Sequence, residues 1–146
     1  MAREDFAFFH SLRVRWSEVD MQAIVFNGNY LNYFDVAFTE YWRASGLPNA
    51  IAQAEEGTEL FARKATLEYF APARFDDVLN IGVRCSKIGQ SSMQFLIDIF
   101  RDDEHLISGE LVYVYADANL RKGVVVPNAW REIIQGLEKI RPFGGS

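Results

Sequence analysis

The stretch NYLNYFDVAFTEYWRAS, residues 29–45, sets Tyr30, Leu31, Tyr33, Phe34, Ala37, Phe38, Tyr41 and Trp42 at spacings of three and four. That is the period of a helix, and apolar groups spread over so wide an arc describe a helix wrapped by other elements, not one with a single buried stripe. Gly46 and Pro48 end it, the first as a left-handed stop and the second as a residue that cannot continue a helix. Upstream, FAFFHSLRVRW (6–16) alternates with period two: Phe6, Phe8, Leu12, Val14 and Trp16 fall on one side, Arg13 and Arg15 on the other. This predicts a strand from Phe6 to Trp16.

Downstream, residues 51–58 are small and acidic and read as a short helix or a mobile connection. Four strand patterns follow at Phe61–Phe70, Val78–Lys87, Ser92–Arg101 and Leu106–Ala116. Pro72 with Asp76-Asp77, then Gly89, then Asp102-Asp103-Glu104 supply the turn chemistry between them. Links this short predict consecutive antiparallel hairpins, because a parallel return needs about a dozen residues or more. Pro127 to Ile140 reads as a closing amphipathic helix, with Pro127 near its first turn and Trp130, Ile133, Ile134 and Leu137 on one face. The order predicts an α+β fold in which a five-stranded antiparallel sheet covers the long helix. A sheet curled this way leaves an edge strand and an outer face uncovered, which predicts a homodimer or a dimer of dimers.

The chain has 146 residues, with 15 Lys and Arg against 20 Asp and Glu, a formal charge of −5. That length is enough for a core without disulfide or metal staples, and no repeat or linker suggests a second domain, so residues 1–146 read as one. At 49% hydrophobic and 24% charged the chain is too apolar for a disordered acidic segment. No apolar run reaches the roughly 18 residues of a membrane span. Cys85, the only cysteine, cannot form an internal disulfide, and the opening MAREDFAFFHSLRVRW carries charges where a secretion signal needs an apolar core. A cytoplasmic location is the expectation. Two histidines, His10 and His105, offer no spaced cluster with Cys85, so no metal is expected. The negative charge argues against a nonspecific nucleic-acid binder and leaves room for a phosphorylated small molecule.

The chemistry concentrates in SEVDMQAIVFNGNYLNYF, residues 17–34, where Glu18 and Asp20 precede Asn27-Gly28-Asn29 at the mouth of the helix. A helix start presents backbone N–H groups and the positive end of the peptide dipoles, able to hold an anion or a developing oxyanion. A carboxylate and such a donor are the two halves of an acyl-transfer site. The same residues also suit an ordinary structural role, with Asp20 in a turn and Asn27 or Asn29 as helix cap. His10 on the apolar strand face and His105 in a hairpin turn read as structural, and Cys85, alternating with Ile81 and Val83, as a buried filler.

The segment RVRWSEVDMQAIVFNGNYLNYFDVAFTEYWRASGL (13–47) resembles the opening of the acyl-CoA thioesterases related to 4-hydroxybenzoyl-CoA thioesterase, including the branch associated with the Tol-Pal system. LEYFAPARFDDVLNI (67–81) is similar to that family's second motif, and the Gly89-Gln90-Ser91-Ser92 turn is a weaker third match. The resemblance implies a hotdog fold with its active site at a subunit interface. It implies Asp20 as the catalytic carboxylate, nucleophile or base for water, with backbone N–H groups around Asn27 and Gly28 polarising a thioester carbonyl. Val25, Phe26, Asn29 and Tyr30 would line the substrate site. Asn27 departs from the His or Tyr that branches of the family carry there, and an Asn cannot titrate near neutral pH. Glu18 stands at the first acid of the family's pair and reads as a supporting residue.

An acidic protein that binds coenzyme A needs local cations. Arg63, Lys64, Arg74, Arg84, Lys87, Arg121 and Lys122 are candidates, Lys87 foremost by the resemblance, with Ser91 in the adjoining turn. The expected partner is an acyl-CoA substrate, with no cofactor. Two other readings compete: a hydratase on the same fold, for which no matching His exists, and a non-catalytic acyl-CoA or lipid-binding dimer.

Overall fold

A computed structural model describes residues 2–144. Its strands are β1 (Phe8–Arg13), β2 (Thr58–Tyr69), β3 (Val78–Ile88), β4 (Ser92–Arg101) and β5 (Glu104–Asp117), and its helices α1 (Asn29–Ser45), α2 (Ala50–Glu55) and α3 (Asn128–Leu137). All strand pairs are antiparallel, in the order β1-β3-β4-β5-β2. The expected sheet wrapped on a central helix is present, and the undecided segment after Pro48 is the short helix α2.

The core explains why α1 is apolar over so wide an arc. Leu79, Ile81, Val83 and Cys85 of β3 and Met93, Phe95, Ile97 and Ile99 of β4 point at the helix and are fully buried. They meet Tyr30, Tyr33, Phe34, Ala37, Phe38, Tyr41 and Trp42. Phe38 lies 4.5 Å from the Tyr113 ring and 4.8 Å from Phe95. Gly109 permits the closest approach: a Cβ there would stand 2.4 Å from the Phe34 ring and 2.4 Å from the Thr66 carbonyl oxygen. At its far end α1 stops where Gly46 turns left-handed at φ 77°.

Three expectations are corrected. First, β2 and β3 are not a hairpin, since β2 pairs with β5 and β3 with β1. They do run in opposite directions, so Tyr69 and Val78 lie at the same end of the sheet and residues 70–77 cross over β5 and β4 to reach β3. Three strand spacings of about 4.8 Å make roughly 14 Å, which eight residues span easily. Second, the first strand is shorter than Phe6–Trp16. Phe6 is buried on the outer face over Gly82, while Trp16 sits in a 3₁₀ turn (Trp16–Glu18) and is 67% exposed. Third, α3 buries Trp130, Arg131 and Ile134, while Ile133 and Leu137 face outward and Pro127 stands at the cap. Arg131 is satisfied by the carbonyls of Gly89 (2.6 Å) and Val126 (3.2 Å), which ties the helix to the β3–β4 turn.

No residue of β2 is fully buried, and Phe61 and Tyr69 are exposed on it. The strand carries a bulge at Arg63, where its register with β5 shifts between Ala62 and Lys64. Val36 and Leu31 are exposed on the face of α1 that the sheet does not cover.

Candidate active site

The chain leaves β1 through Val14, whose N–H donates to Asp77 O (2.8 Å), and enters the 3₁₀ turn. Val19 and Val25 then bridge, closing a tight loop. Within it Asp20 N–H donates to Ile24 O (2.9 Å), Ala23 N–H to Asp20 O (2.9 Å) and Gln22 N–H to Asp20 Oδ1 (2.8 Å). Asp20 is therefore a turn residue, as its type predicts, and its carboxylate is also exposed at the loop tip. Ala23 holds φ 60°, a left-handed conformation costing about 1–2 kcal/mol for a residue with a Cβ.

The crossing segment 70–77 offsets that cost by acting as a strand partner. Val25 N–H donates to Ala73 O (2.9 Å), Phe75 N–H donates to Ala23 O (2.9 Å), and Ile24 bridges to Arg74. Ala73 N–H donates to the buried Tyr30 hydroxyl (3.1 Å), and the Trp16 and Phe75 rings meet edge-on at 5.0 Å. The two motifs read at 13–47 and 67–81 thus form one unit.

At the mouth of α1, Asn29 N–H donates to Phe26 O (2.9 Å) and Tyr30 N–H to Asn27 O (3.3 Å). The exposed N–H groups of Asn27 and Gly28 have no acceptor among the described residues. Gly28 holds the cap position with helical φ −64°, so neither Asn27 nor Asn29 is the side-chain cap that its residue type suggests. Asn29 Nδ2 reaches instead to Glu18 O (2.8 Å), which also accepts from Phe26 N–H (3.0 Å).

Glu18 proves more central than its sequence position indicated. Its carboxylate accepts from Tyr33 Oη (2.9 Å), from Arg15 N–H (2.8 Å) and from the Arg15 guanidinium. Burial opposes its charge, yet the bonds from Arg15 and Tyr33 outweigh burial and hold the carboxyl below its ordinary value. Tyr33 is pushed up by burial and by accommodating that charge. Sequence reading missed Tyr33, although a signal existed: Asn29 and Tyr33 are four apart on one helix face, both donors aimed at the loop.

Val25, Phe26, Asn27, Gly28, Asn29 and Tyr30 are gathered with Asp20, Val25 and Tyr30 buried and Phe26 61% exposed. Of the expected cations, Arg74 stands at this loop and the others do not. Arg63 sits at the β2 bulge, and Lys64 pairs with Glu110 (3.1 Å) on the outer face. Lys87 and Ser91 lie at the opposite end of β4 from Arg101, which donates to Pro72 O (3.3 Å) beside the loop; a strand of that length spans about 30 Å. Arg84 is buried within the sheet, so it is not a cation for a solvent-facing phosphate, a correction to its candidacy. Arg121 and Lys122 are exposed in the turn after β5, and Arg74 is exposed beside Ile24. His105 lies in β5 and not in the turn, with Nε2 3.1 Å from Asp98 Oδ2.

Two grooves flank the uncovered face of α1. One, of about 660 Å³, runs between β1 and α1 beside His10, Arg15, Glu18 and Tyr33. The other, of about 630 Å³, is floored by Phe38, Trp42, Leu47, Leu60 and Tyr113. Asp35 borders both.

The model of the thioesterase superfamily matches residues 22–108, more than half of the chain. The chain belongs to the thioesterase superfamily. Thioester hydrolysis is the reaction class of that family. The chain is similar to the acyl-CoA thioester hydrolase YbgC of Escherichia coli, 28% identical over 119 residues, covering 81% of this chain and 88% of the relative. A crystal structure of a hypothetical protein from Aquifex aeolicus superposes with TM-score 0.79 at 27% identity, covering 87% of this chain and 98% of that one. A 1,4-dihydroxy-2-naphthoyl-CoA thioesterase from Synechocystis shares the fold, with TM-score 0.81 at 18% identity over 87% of this chain and 94% of that one. The hotdog fold expected from the resemblance is therefore the fold of this family member.

Proposed function

We propose that the protein hydrolyses acyl-CoA thioesters, with Asp20 as the catalytic carboxylate and the N–H groups of Asn27 and Gly28 as the oxyanion donors. The observation that carries this reading is that an exposed carboxylate and two uncommitted N–H groups stand on one braced loop at the start of α1. The donors polarise the thioester carbonyl. As base, Asp20 takes a proton from water while a C–O bond forms; the C–S bond then breaks, and the coenzyme A sulfur leaves as thiolate and gains the proton. As nucleophile, Asp20 forms a mixed anhydride that water opens to the same products. The backbone donors persist whatever side chain residue 27 carries, so Asn27 is compatible with this chemistry.

The site is read as completed by a second copy in the cytoplasm. Antiparallel pairing of two β2 edges about a two-fold axis sets the Lys87 and Ser91 end of one copy beside the Asp20 end of its partner, with Arg63 and Lys64 at the seam. This assigns the nucleotide contacts to the partner, consistent with their distance from Asp20 within one chain. Sedimentation equilibrium reads the assembly.

The deciding experiment is free-thiol release from short aliphatic, long aliphatic and hydroxyaryl acyl-CoA, with wild type and Asp20→Asn. Turnover that Asp20→Asn lowers by about 10²–10⁴ is the expected result, that being the range for a general base. Wild-type protein that binds these thioesters and leaves them intact would establish the binding-module reading instead.

A further inference from the structure

We propose that Glu18 and Tyr33 form a positioning clamp that sets the distance between the Asp20 carboxylate and the N–H groups of Asn27 and Gly28. The inference rests on the acyl-transfer reading of the loop and goes beyond it by assigning two residues that touch neither substrate nor reacting atoms.

Residue 18 is the point where the loop is tied at its base. From one side, Phe26 N–H (3.0 Å) and Asn29 Nδ2 (2.8 Å) converge on its carbonyl. From the other, Tyr33 Oη (2.9 Å) and Arg15 N–H (2.8 Å) converge on its carboxylate. Glu18 stands two residues before Asp20, and Asn29 follows Gly28 directly, so these bonds join the carboxylate arm of the loop to the donor arm. Neither arm can shift without stretching them.

The clamp also explains a costly choice. The Glu18 side chain is only 12% exposed, and a carboxylate so enclosed is unfavourable unless it is fully hydrogen-bonded. A tie between exposed loop residues could be made with neutral groups. A charged acceptor makes each bond shorter and roughly twice as strong, which suits a group that fixes geometry. Tyr33 belongs to the rigid helix: its ring packs edge-on against Tyr30 (6.0 Å), and its hydroxyl therefore reports the helix position to the loop.

Tyr33→Phe removes one bond and no ring. Steady-state thiol release should show kcat lowered about tenfold and KM within about twofold, because substrate contacts remain while the reacting groups drift apart. Glu18→Ala should lower kcat about a hundredfold, and Glu18→Gln should recover part of that loss, since an amide oxygen still accepts from Tyr33 and Arg15. Backbone amide shifts and hydrogen exchange at Asn27 and Gly28, read by NMR without substrate, should change in Tyr33→Phe. A purely structural role would lower melting temperature and folded yield, leaving kcat per folded molecule and those two amides as in wild type; that result overturns the clamp. If wild type turns over and Asp20→Asn does not, while Tyr33→Phe matches wild type, the clamp fails and the catalytic reading stands. If no thioester is hydrolysed, the catalytic reading fails, and the NMR comparison alone decides whether the loop is set by Tyr33.

Discussion

Gly109→Ala tests the seating of α1 on the sheet, on which the position of the site depends. A methyl at this position would meet the Phe34 ring at 2.4 Å and the Thr66 carbonyl oxygen at 2.4 Å, against ordinary carbon contacts of about 3.5–4.0 Å. Phe34 is fully buried and has no free direction to retreat. Thr66 O belongs to the β2 backbone, whose Leu67 pairs with Gly109, so relief requires lifting the helix or parting β2 from β5. One added methyl in a packed core costs about 1–3 kcal/mol, and backbone involvement places this one near about 3 kcal/mol. At roughly 2–4 °C per kcal/mol for a domain near this size, the melting temperature should fall by about 6–12 °C. Urea and thermal denaturation read the change, with an unaltered urea slope showing that the folded state stays compact. Gly136→Ala in α3, where an added Cβ meets nothing within 4 Å, serves as control and should stabilise by about 0.5–1 kcal/mol. Gly109→Ala with stability within about 0.5 kcal/mol of wild type would refute the packing. If Phe34 is the obstacle, adding Phe34→Leu should recover part of the loss.

Burial pushes the Glu138 carboxyl up, more than the bonds from Tyr41 and the Cys85 N–H and the charge of Arg84 draw it down. Its neutral form is thus favoured by folding, and the associated stability, full below about pH 4.5, is lost as pH rises through the raised value. Denaturation of Glu138→Gln at pH 4 and pH 8 should show a gain over wild type that is larger at pH 8; a gain independent of pH would contradict it. Cys85 is fully buried and its thiol is pushed up to about 12, chiefly by burial. A thiol reagent at pH 8 should therefore label it only at the rate of unfolding, and fast labelling of the folded protein would show the core open at β3.

What the sequence made legible follows from which forces are local. The bounds of α1 were readable because both are local matters: a three-and-four spacing that begins at Asn29, and a left-handed stop that only Gly46 adopts without strain. The pairing of β2 was not, since the residues that turn a hairpin also turn a crossing link. Which strand becomes the neighbour is decided by the helix that the sheet must enclose. Ile133 and Leu137 illustrate the same limit, because a periodic apolar position is buried only where something packs on it. At the site, the loop from Asp20 to Asn29 was readable as a unit. Lys87 and Ser91 were not placeable, since a motif match carries no statement of which end of the sheet it occupies. Tyr33 was hidden among core aromatics by its ring, and only its spacing from Asn29 marked its hydroxyl as a donor to the loop.

The crossing of residues 70–77 is also the reason the site lies where it does. The link supplies the Asp20 loop with a strand partner, and the Phe75 N–H on the Ala23 carbonyl helps offset the cost of its left-handed turn. Asp77 secures the arrangement from three directions. Its carboxylate accepts from Arg74 N–H (2.8 Å) and from Arg101 Nη1 (2.7 Å), and its carbonyl accepts from Val14 N–H (2.8 Å). The exit of β1, the crossing link and the end of β4 are thereby fixed to one residue. The Arg101–Asp77 pair is only about one-fifth exposed on each side, so water screens it less than a surface pair. The route that carries the chain from β2 past β5 and β4 to β3 therefore also builds the wall behind the Asp20 loop, and the second motif packs on the first.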